Sequence, residues 1–304
     1  MRVLIAVLVF AVAVVAGTAE WKRAAPLAAP RTEVAAALLG GREIAVAGGF
    51  GSNGANSARV DAYSPSQNRW RRLPNLPRSV DHAAAASHRG AVYVAGGYGA
   101  DRRPLKTLFV FARRGWRSLP PMPEPRGAAA AAVTRGRLYV VGGIGPDGVA
   151  ERSFAFDLAR RQWSVIPGPT PREHLAAASV GGRVYAIAGR TSTRGNLDTF
   201  EAYVPAQRRW VSLPKVPEPR GGTGAAVSGR LIVSVGGEEP GGTIRSVYAY
   251  DVKRRRWTRL PDLGTPRHGL GVVAYRGRVY AIAGGPEPGL HVSGANEYLV
   301  LPKN

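Results

Sequence analysis

The sequence predicts an all-β protein folded as a six-bladed β-propeller, and two regularities carry this prediction. The six tryptophans recur at spacings of 49, 46, 47, 47 and 47 residues, at positions 21, 70, 116, 163, 210 and 257. Glycine pairs follow the same period at 48–49, 96–97, 142–143, 236–237 and 284–285, while the fourth repeat has Gly189-Arg190 instead. A repeat of this length, made of short apolar segments and regular turns, is typical of radially arranged sheets.

Each repeat predicts one blade of four strands. Small residues after a Pro-Arg dipeptide form the first strand, as in 128–133, and a Gly-Arg turn leads to an apolar second strand, as in 138–141. A variable loop precedes an alternating third strand, as in 247–250, and a polar turn leads to the tryptophan strand. Short strands bounded by such turn residues favour β structure throughout.

The two ends of the repeat region predict how the ring closes. Trp21 marks a fourth strand with no first three before it, whereas 270–275, 279–283 and 297–301 read as three strands with no tryptophan after them. We therefore expect the N-terminal strand to complete the sixth blade, which removes exposed sheet edges. The first strands are rich in Ala and Gly, so we expect them near the axis, where large side chains would collide.

These features resemble the Kelch-repeat family. The resemblance rests on the glycine pairs, on six Pro-Arg dipeptides, and on an aromatic residue seven positions before tryptophan in four repeats (Tyr63, Phe156, Tyr203, Tyr250). It covers residues 20–301 and departs from the family pattern at Gly189-Arg190 and in the short turn before Trp116. The resemblance implies one propeller blade per repeat and ligand binding on the face that carries the longer loops.

The absence of cysteine excludes whole classes of chemistry. Disulfides, cysteine-ligated metals and thiol nucleophiles are impossible. Kelch copper-radical oxidases use a Cys–Tyr cofactor, and Kelch specifier proteins carry a Glu-x3-Asp-x3-His iron motif; neither occurs here. No phosphate-binding loop or hydrolase motif is present either. The loop histidines His82, His174 and His268 could form a metal or acid–base site with Asp81 and Glu173, but they show no fixed ligand spacing, so we predict no cofactor and no metal.

The N-terminus has the layout of a secretory signal. Met1-Arg2 is followed by an uncharged run over 3–17, and Gly17 and Ala19 suit the positions before a cleavage site. The run is short for a membrane span, which needs about 20 residues. Lys22 and Arg23 follow the run as closely as Arg2 precedes it, which weakens the charge bias that directs translocation. We predict a signal peptide or uncleaved anchor over 1–19, a propeller over 20–304, and an extracytoplasmic location.

The net charge of +22 is predicted to concentrate on one face. Turns between first and second strands, and between third and fourth strands, share a face because antiparallel strands return to the same end. We call it the turn face, and its cations are Arg42, Arg69, Arg89, Arg113, Arg114, Arg135, Arg137, Arg160, Arg161, Arg183, Arg208, Arg209, Arg230, Lys253, Arg254, Arg255, Arg256, Arg276 and Arg278. Such a surface favours an anionic membrane or cell-wall polymer and no specific nucleic acid.

The opposite face, here the loop face, has mixed charge and is the predicted ligand-binding surface. The resemblance implies that arginines at the Pro-Arg positions line its central mouth. The candidate ligand-binding residues are Arg78, Asp81, His82, Arg126, Arg172, Arg190, Arg220, Glu238, Arg267 and His268. The alternative is that the Pro-Arg arginines tie neighbouring loops together, because guanidinium groups bind backbone carbonyls as readily as ligand carboxylates.

Two functions remain open from the sequence. The first is a monomeric binding scaffold for a protein, peptide or acidic glycan, favoured because a fold alone does not imply chemistry. The alternative is a sugar-converting enzyme, similar to the N-acetylneuraminate mutarotases, which are exported six-bladed Kelch propellers. Glu173 and His174 are the candidate acid–base pair for that reaction.

Overall fold

The predicted six-bladed all-β propeller is confirmed in a computed structural model, which describes residues 20–302. Six four-stranded antiparallel sheets form the blades, with one short 3-10 turn at Pro205–Gln207. The predicted leader over 1–19 lies outside the described residues. No helix within 20–302 is long and apolar enough to cross a bilayer.

In blades 1 to 5 the strands run from the axis outward in chain order, and blade 6 differs only in its outermost strand. Blade 1 comprises Ala35–Leu39, Glu43–Ala47, Val60–Ser64 and Arg69–Leu73. Blade 2 comprises Ala84–His88, Ala91–Ala95, Leu108–Ala112 and Gly115–Ser118. Blade 3 comprises Ala130–Thr134, Arg137–Val141, Arg152–Asp157 and Gln162–Pro167.

The second half of the ring repeats this order. Blade 4 comprises Ala176–Val180, Arg183–Ile187, Phe200–Val204 and Arg209–Ser212. Blade 5 comprises Gly224–Ser228, Leu231–Val235, Val247–Asp251 and Arg256–Leu260. Blade 6 comprises Gly271–Tyr275, Arg278–Ile282, Asn296–Val300 and, as its outermost strand, Trp21–Arg23.

The first strands of neighbouring blades touch all the way around the axis, from blade 1 to blade 6 and back to blade 1. They enclose an axial tunnel of about 230 Å³ lined mainly by alanine and valine. Small side chains are needed here because six strands converge on one line, and this agrees with the expectation from the sequence.

The N-terminal strand closes the ring as predicted. Trp21–Arg23 pairs antiparallel with Asn296–Val300, and Trp21 lies opposite Leu299. In the other five blades the outer-strand tryptophan lies opposite an aromatic residue of the third strand, as Trp70 lies opposite Tyr63. These pairs bury the aromatic partner, whereas the tryptophan remains half-buried.

The glycine pairs are structural, but their register differs from the sequence interpretation in two blades. The first position of each pair has φ of 54–66°, and alanine occupies it in blade 4 (Ala188) and blade 6 (Ala283). The second position is glycine in all six blades, with φ of 87–126°. The pairs in these two blades are therefore Ala188-Gly189 and Ala283-Gly284. The φ of the first position lies in the left-handed region, which alanine tolerates, whereas the φ of the second position lies outside that region and requires glycine.

Three second-to-third-strand loops carry small hairpins that build up the loop face. They pair Ile144–Gly145 with Gly148–Val149, Arg190–Thr191 with Gly195–Asn196, and Glu238–Glu239 with Gly242–Thr243.

The turn face is exposed and basic. All of its predicted cations are exposed except Arg230 and Arg278, which are half-buried. Three carboxylates reduce its charge: Asp157 and Asp251 lie where third strands end, and Glu43 bonds Arg71. The separation of charges is therefore strong but less complete than the sequence suggested.

Candidate functional site

The loop-face end of the axis is closed by a ring of backbone hydrogen bonds. One residue per blade takes a left-handed conformation with φ of 48–63°, at positions 33, 82, 128, 174, 222 and 269. In blades 2 to 6 the amide of each ring residue donates to the carbonyl of the preceding ring residue at 2.9–3.1 Å. In blade 1 the amide of Val34, next to Glu33, donates to the carbonyl of Gly269 at 3.2 Å. The ring fixes six neighbouring Cα positions around one point.

The residues of this ring give the site its chemistry. They are Glu33, His82, Ala128, His174, Gly222 and Gly269. They line a cavity of about 100 Å³ that sits above the apolar tunnel. We call Glu33, His82, His174 and the adjacent His268 the axial cluster.

His82 lies between two carboxylates. Its Nδ1 is 2.5 Å from Asp81 Oδ1, and its Nε2 is 3.4 Å from Glu33 Oε2. Asp81 is fully buried and also accepts a hydrogen bond from the Asn56 side chain. Burial lowers the pKa of His82, but Glu33 and Asp81 outweigh it and raise the pKa above its usual value.

His174 is held from the side by Glu173, whose carboxylate bonds Nδ1. Glu173 also accepts a hydrogen bond from Arg190 Nε at 2.8 Å, and another nitrogen of Arg190 bonds Glu238. Arg190 Nη2 is 3.2 Å from His174 Nε2. Burial raises the pKa of Glu173, but His174 and Arg190 outweigh it and lower the pKa overall.

His268 faces the other oxygen of Glu33. Its Nδ1 is 3.1 Å from Glu33 Oε1 and 3.5 Å from Glu238 Oε2, while Nε2 is 3.0 Å from the Glu287 carbonyl oxygen. Burial raises the pKa of Glu33, but the facing histidines dominate and hold it well below its usual range. Burial lowers the pKa of His268, and the two carboxylates raise it overall.

The Pro-Arg arginines are placed differently from the expectation that they line the mouth. Arg126, Arg172, Arg220 and Arg267 are at most 2% exposed. Arg172 donates to the carbonyls of Thr170, Ala186 and Ala188 and to Glu201 at 2.6 Å. Their positions therefore agree with the alternative interpretation, in which these arginines tie neighbouring loops together in the interior of the propeller.

The other buried arginines follow the same pattern. Arg267 bonds Glu297 at 2.8 Å and two carbonyls. Arg220 bonds Glu218, Ser246 and backbone carbonyls. Arg126 bonds Glu124 and the carbonyls of Pro125 and Arg152, and its guanidinium lies 4.4 Å from the Phe154 ring centre.

Arg78 is the exception because blade 2 has two additional residues before its ring position. Val80, fully buried, takes the backbone place of the arginine: its carbonyl accepts from Gly49 as the Arg172 carbonyl accepts from Gly143. Arg78 is therefore displaced to the surface and is exposed.

The structure thus brings together seven of the predicted site residues, namely Asp81, His82, Glu173, His174, Arg190, Glu238 and His268. It adds Glu33, which the sequence analysis missed. The signal for Glu33 was present, because it is the second residue after Pro30-Arg31, the position of His174 after Pro171-Arg172. Counting the first repeat in the same register would have found it.

Comparison with known proteins agrees with this architecture. The family model for the KLHDC2/KLHL20/DRC7 Kelch-repeats domain matches residues 120–285, more than half of the chain, and the Kelch motif model matches residues 30–77. The chain belongs to the Kelch-repeat family.

Several Kelch proteins share short stretches with it. Beta-scruin of Limulus polyphemus is 32% identical over 78 residues, which is 26% of this chain and 8% of that protein. An F-box/kelch-repeat protein of Arabidopsis thaliana is 41% identical over 78 residues, or 25% of this chain and 20% of that protein. The matched stretch thus spans a small part of these relatives, and the likeness to them is one of repeats. Kelch repeats of this kind support a protein-binding scaffold as the general role of the chain.

Proposed function

We propose that this Kelch propeller is an exported, monomeric scaffold that binds a carboxylate-bearing protein, peptide or glycan on its loop face. The observation that carries this proposal is the exposed guanidinium of Arg102, which stacks on two aromatic rings. Arg102 lies 4.9 Å from the ring centre of Phe50 and 5.5 Å from that of Tyr98, and 58% of its side chain is exposed. Its flat group is preorganised, because stacking on two rings restricts its rotamers.

The surroundings of Arg102 favour an anionic ligand. Asp81 lies 3.3 Å from Arg102 Nη1, which leaves the remaining N–H donors of the guanidinium free to bind a carboxylate in a two-pronged geometry. Arg78 and Arg103 are exposed in the adjoining loops. We call Arg78, Arg102 and Arg103 the cationic sector, and it differs from the axial cluster in being open to solvent.

The test is binding to arrays of acidic peptides and sialylated glycans, followed by affinity measurement on any ligand found. An Arg78→Gln/Arg102→Gln variant should bind at least about 10-fold more weakly, because hydrogen bonds to charged groups contribute about 1.5–3 kcal/mol. Arg42→Gln/Arg89→Gln on the turn face removes the same charge and should leave affinity unchanged. Equal affinity of both variants would place the ligand elsewhere.

The proposed export rests on the uncharged run 3–17 and the small residues Gly17 and Ala19. In an extracytoplasmic compartment the exposed turn face would contact anionic lipid or cell-wall polymer, with an attraction of about 1 kcal/mol per cation near the surface. Intact mass of the secreted chain tests cleavage after Ala19. Co-sedimentation with anionic but not neutral vesicles tests the membrane contact.

A sugar-converting activity is the second candidate, and one observation favours it. His174 lines the axial cavity and is contacted by Glu173 and Arg190, so a proton acceptor, a proton donor and an anion-binding group lie together. The cavity of about 100 Å³ is smaller than the roughly 300 Å³ at which small-molecule sites begin, which favours surface binding instead. Proton NMR of freshly dissolved acidic sugars tests it, with accelerated anomer exchange as the supporting result.

A further inference from the structure

We propose that Glu33, His82 and His174 bind one divalent transition-metal ion at the propeller axis. One ligand atom from each residue lies within 4.8 Å of the other two. His82 Nε2 and Glu33 Oε2 are 3.4 Å apart. A tetrahedral ion with metal–ligand bonds of about 2.1 Å holds neighbouring ligand atoms about 3.4 Å apart, so this pair is already at coordinating separation.

The two histidines are oriented as metal ligands usually are. Asp81 binds Nδ1 of His82, and Glu173 binds Nδ1 of His174. A carboxylate on one ring nitrogen fixes the N–H there and presents the lone pair of Nε2, which is the arrangement that supports a ligating histidine. Two such carboxylate–histidine pairs therefore converge on the carboxylate of Glu33.

Carboxylates outnumber guanidiniums around the axis. Four carboxylates (Glu33, Asp81, Glu173, Glu238) are accompanied by two guanidiniums, those of Arg102 and Arg190, which leaves an excess of two carboxylates. His82 places a carboxylate against each ring nitrogen, so a neutral ring would direct its lone pair at Glu33. A divalent cation balances the excess of carboxylates and accepts that lone pair.

The backbone retains side chains here at a conformational cost. Glu33, His82, Ala128 and His174 have φ of 48–52°, whereas blades 5 and 6 use Gly222 and Gly269 in the same conformation. Glycine is the favourable residue in this region, so the ring keeps these four side chains at a conformational cost. Nitrogen and oxygen ligands without sulfur suit Zn²⁺ or Co²⁺.

Arg190 competes with the metal. Its Nη2 is 3.2 Å from His174 Nε2, so metal binding displaces this contact. Removing the guanidinium of Arg190 should therefore strengthen metal binding, whereas removing a metal ligand should weaken it.

The experiment uses the full chain after dialysis against a chelator, titrated with Zn²⁺ by calorimetry and with Co²⁺ by visible absorption. We expect one ion per chain. His82→Gly and His174→Gly should abolish binding, and they should fold because the ring already holds glycine at 222 and 269. Asp81→Asn and Glu173→Gln should weaken binding about 10- to 100-fold, and Arg190→Gln should strengthen it.

His88→Gln is the matched control, because His88 ends the first strand of blade 2 on the turn face. The metal affinity of this variant should equal that of the parent chain. No saturable binding by the parent chain, or equal binding by His174→Gly and the parent, would overturn the proposal.

Discussion

Trp21 donates its indole N–H to the carbonyl oxygen of Pro261 at 3.0 Å, which joins the outermost strand of blade 6 to the end of blade 5. The other five tryptophans make the same bond to a carbonyl of the preceding blade at 2.8–2.9 Å. This sixfold contact explains why tryptophan, which has both a large apolar body and a donor, recurs at this position.

Trp21→Phe should lower the free energy of unfolding by about 1 kcal/mol, because a neutral hydrogen bond contributes about that amount. Trp21 is also the main anchor of a three-residue strand whose other residues are exposed. We therefore expect faster hydrogen exchange in Asn296–Val300 of this variant. Trp116→Phe loses the same bond inside the chain and should leave that strand protected; equal protection in both variants would contradict the anchoring role.

Arg172→Ala should lower the free energy of unfolding by about 3–5 kcal/mol, because it leaves the Glu201 carboxylate buried without its cation. Arg78→Ala, at the displaced Pro-Arg position, should change it by less than about 0.5 kcal/mol, since its side chain is exposed. Urea unfolding measures both. A small effect at Arg172 would mean that the loops it joins are held by other contacts.

The fold could be predicted from the sequence because its determinants are local and repeated. Tryptophan spacing, glycine pairs and incomplete end repeats each depend on blade geometry, so six copies reinforce one another. The site depends instead on where single residues in different blades point. Arg172 and Arg190 both follow glycine or proline in loops, yet one is buried in the wall and the other reaches the axis.

Two structural features that the sequence does not reveal determine the rest of the site. The two additional residues before His82 move Arg78 outward and restore the ring register, and no spacing rule from the other blades reveals which residue takes the arginine's place. Glu33 joins His82 and His174 because the blades converge on one axis, so that residues 49 and 141 positions apart along the chain become neighbours.

Gly143→Ala should destabilise the protein more than Gly142→Ala. A Cβ at Gly143, with φ of 87°, would lie 2.6 Å from the Gly127 carbonyl oxygen and 2.7 Å from Ala129 Cβ. At Gly142, with φ of 62°, the close contacts are at 2.7–2.8 Å, and Ala188 and Ala283 show that the position accepts alanine in other blades.

We expect a loss of about 2 kcal/mol or more at Gly143, because conformational strain of about 1–3 kcal/mol adds to the clash. Thermal unfolding of the two variants measures the difference. An equal loss at both sites would show that the clash distances, and not the backbone angle, set the cost.

The carboxylate of Asp251 should make the free energy of unfolding depend on pH in the acid range. Arg230 donates to its carboxylate at 2.8 Å, and the amides of Lys253 and Arg254 donate at 2.9 and 3.1 Å. The hydrogen bond from Arg230 is the main cause that lowers the pKa of Asp251 to about 2. A depressed pKa stabilises the folded state above the unfolded value of about 4, and that contribution is lost as pH falls toward 2.

Asp251→Asn should therefore be less stable than the parent chain at pH 7, and the difference should shrink between pH 4 and pH 2. Below that range the parent carboxyl is protonated and resembles the amide. Urea unfolding at pH 7, 4 and 2.5 measures the change. Asp262→Asn is the control, because Asp262 is exposed and bonds only Arg259, so its stability difference should stay near zero throughout. A difference at Asp251 that does not vary with pH would mean that the carboxylate charge contributes nothing to holding the turn.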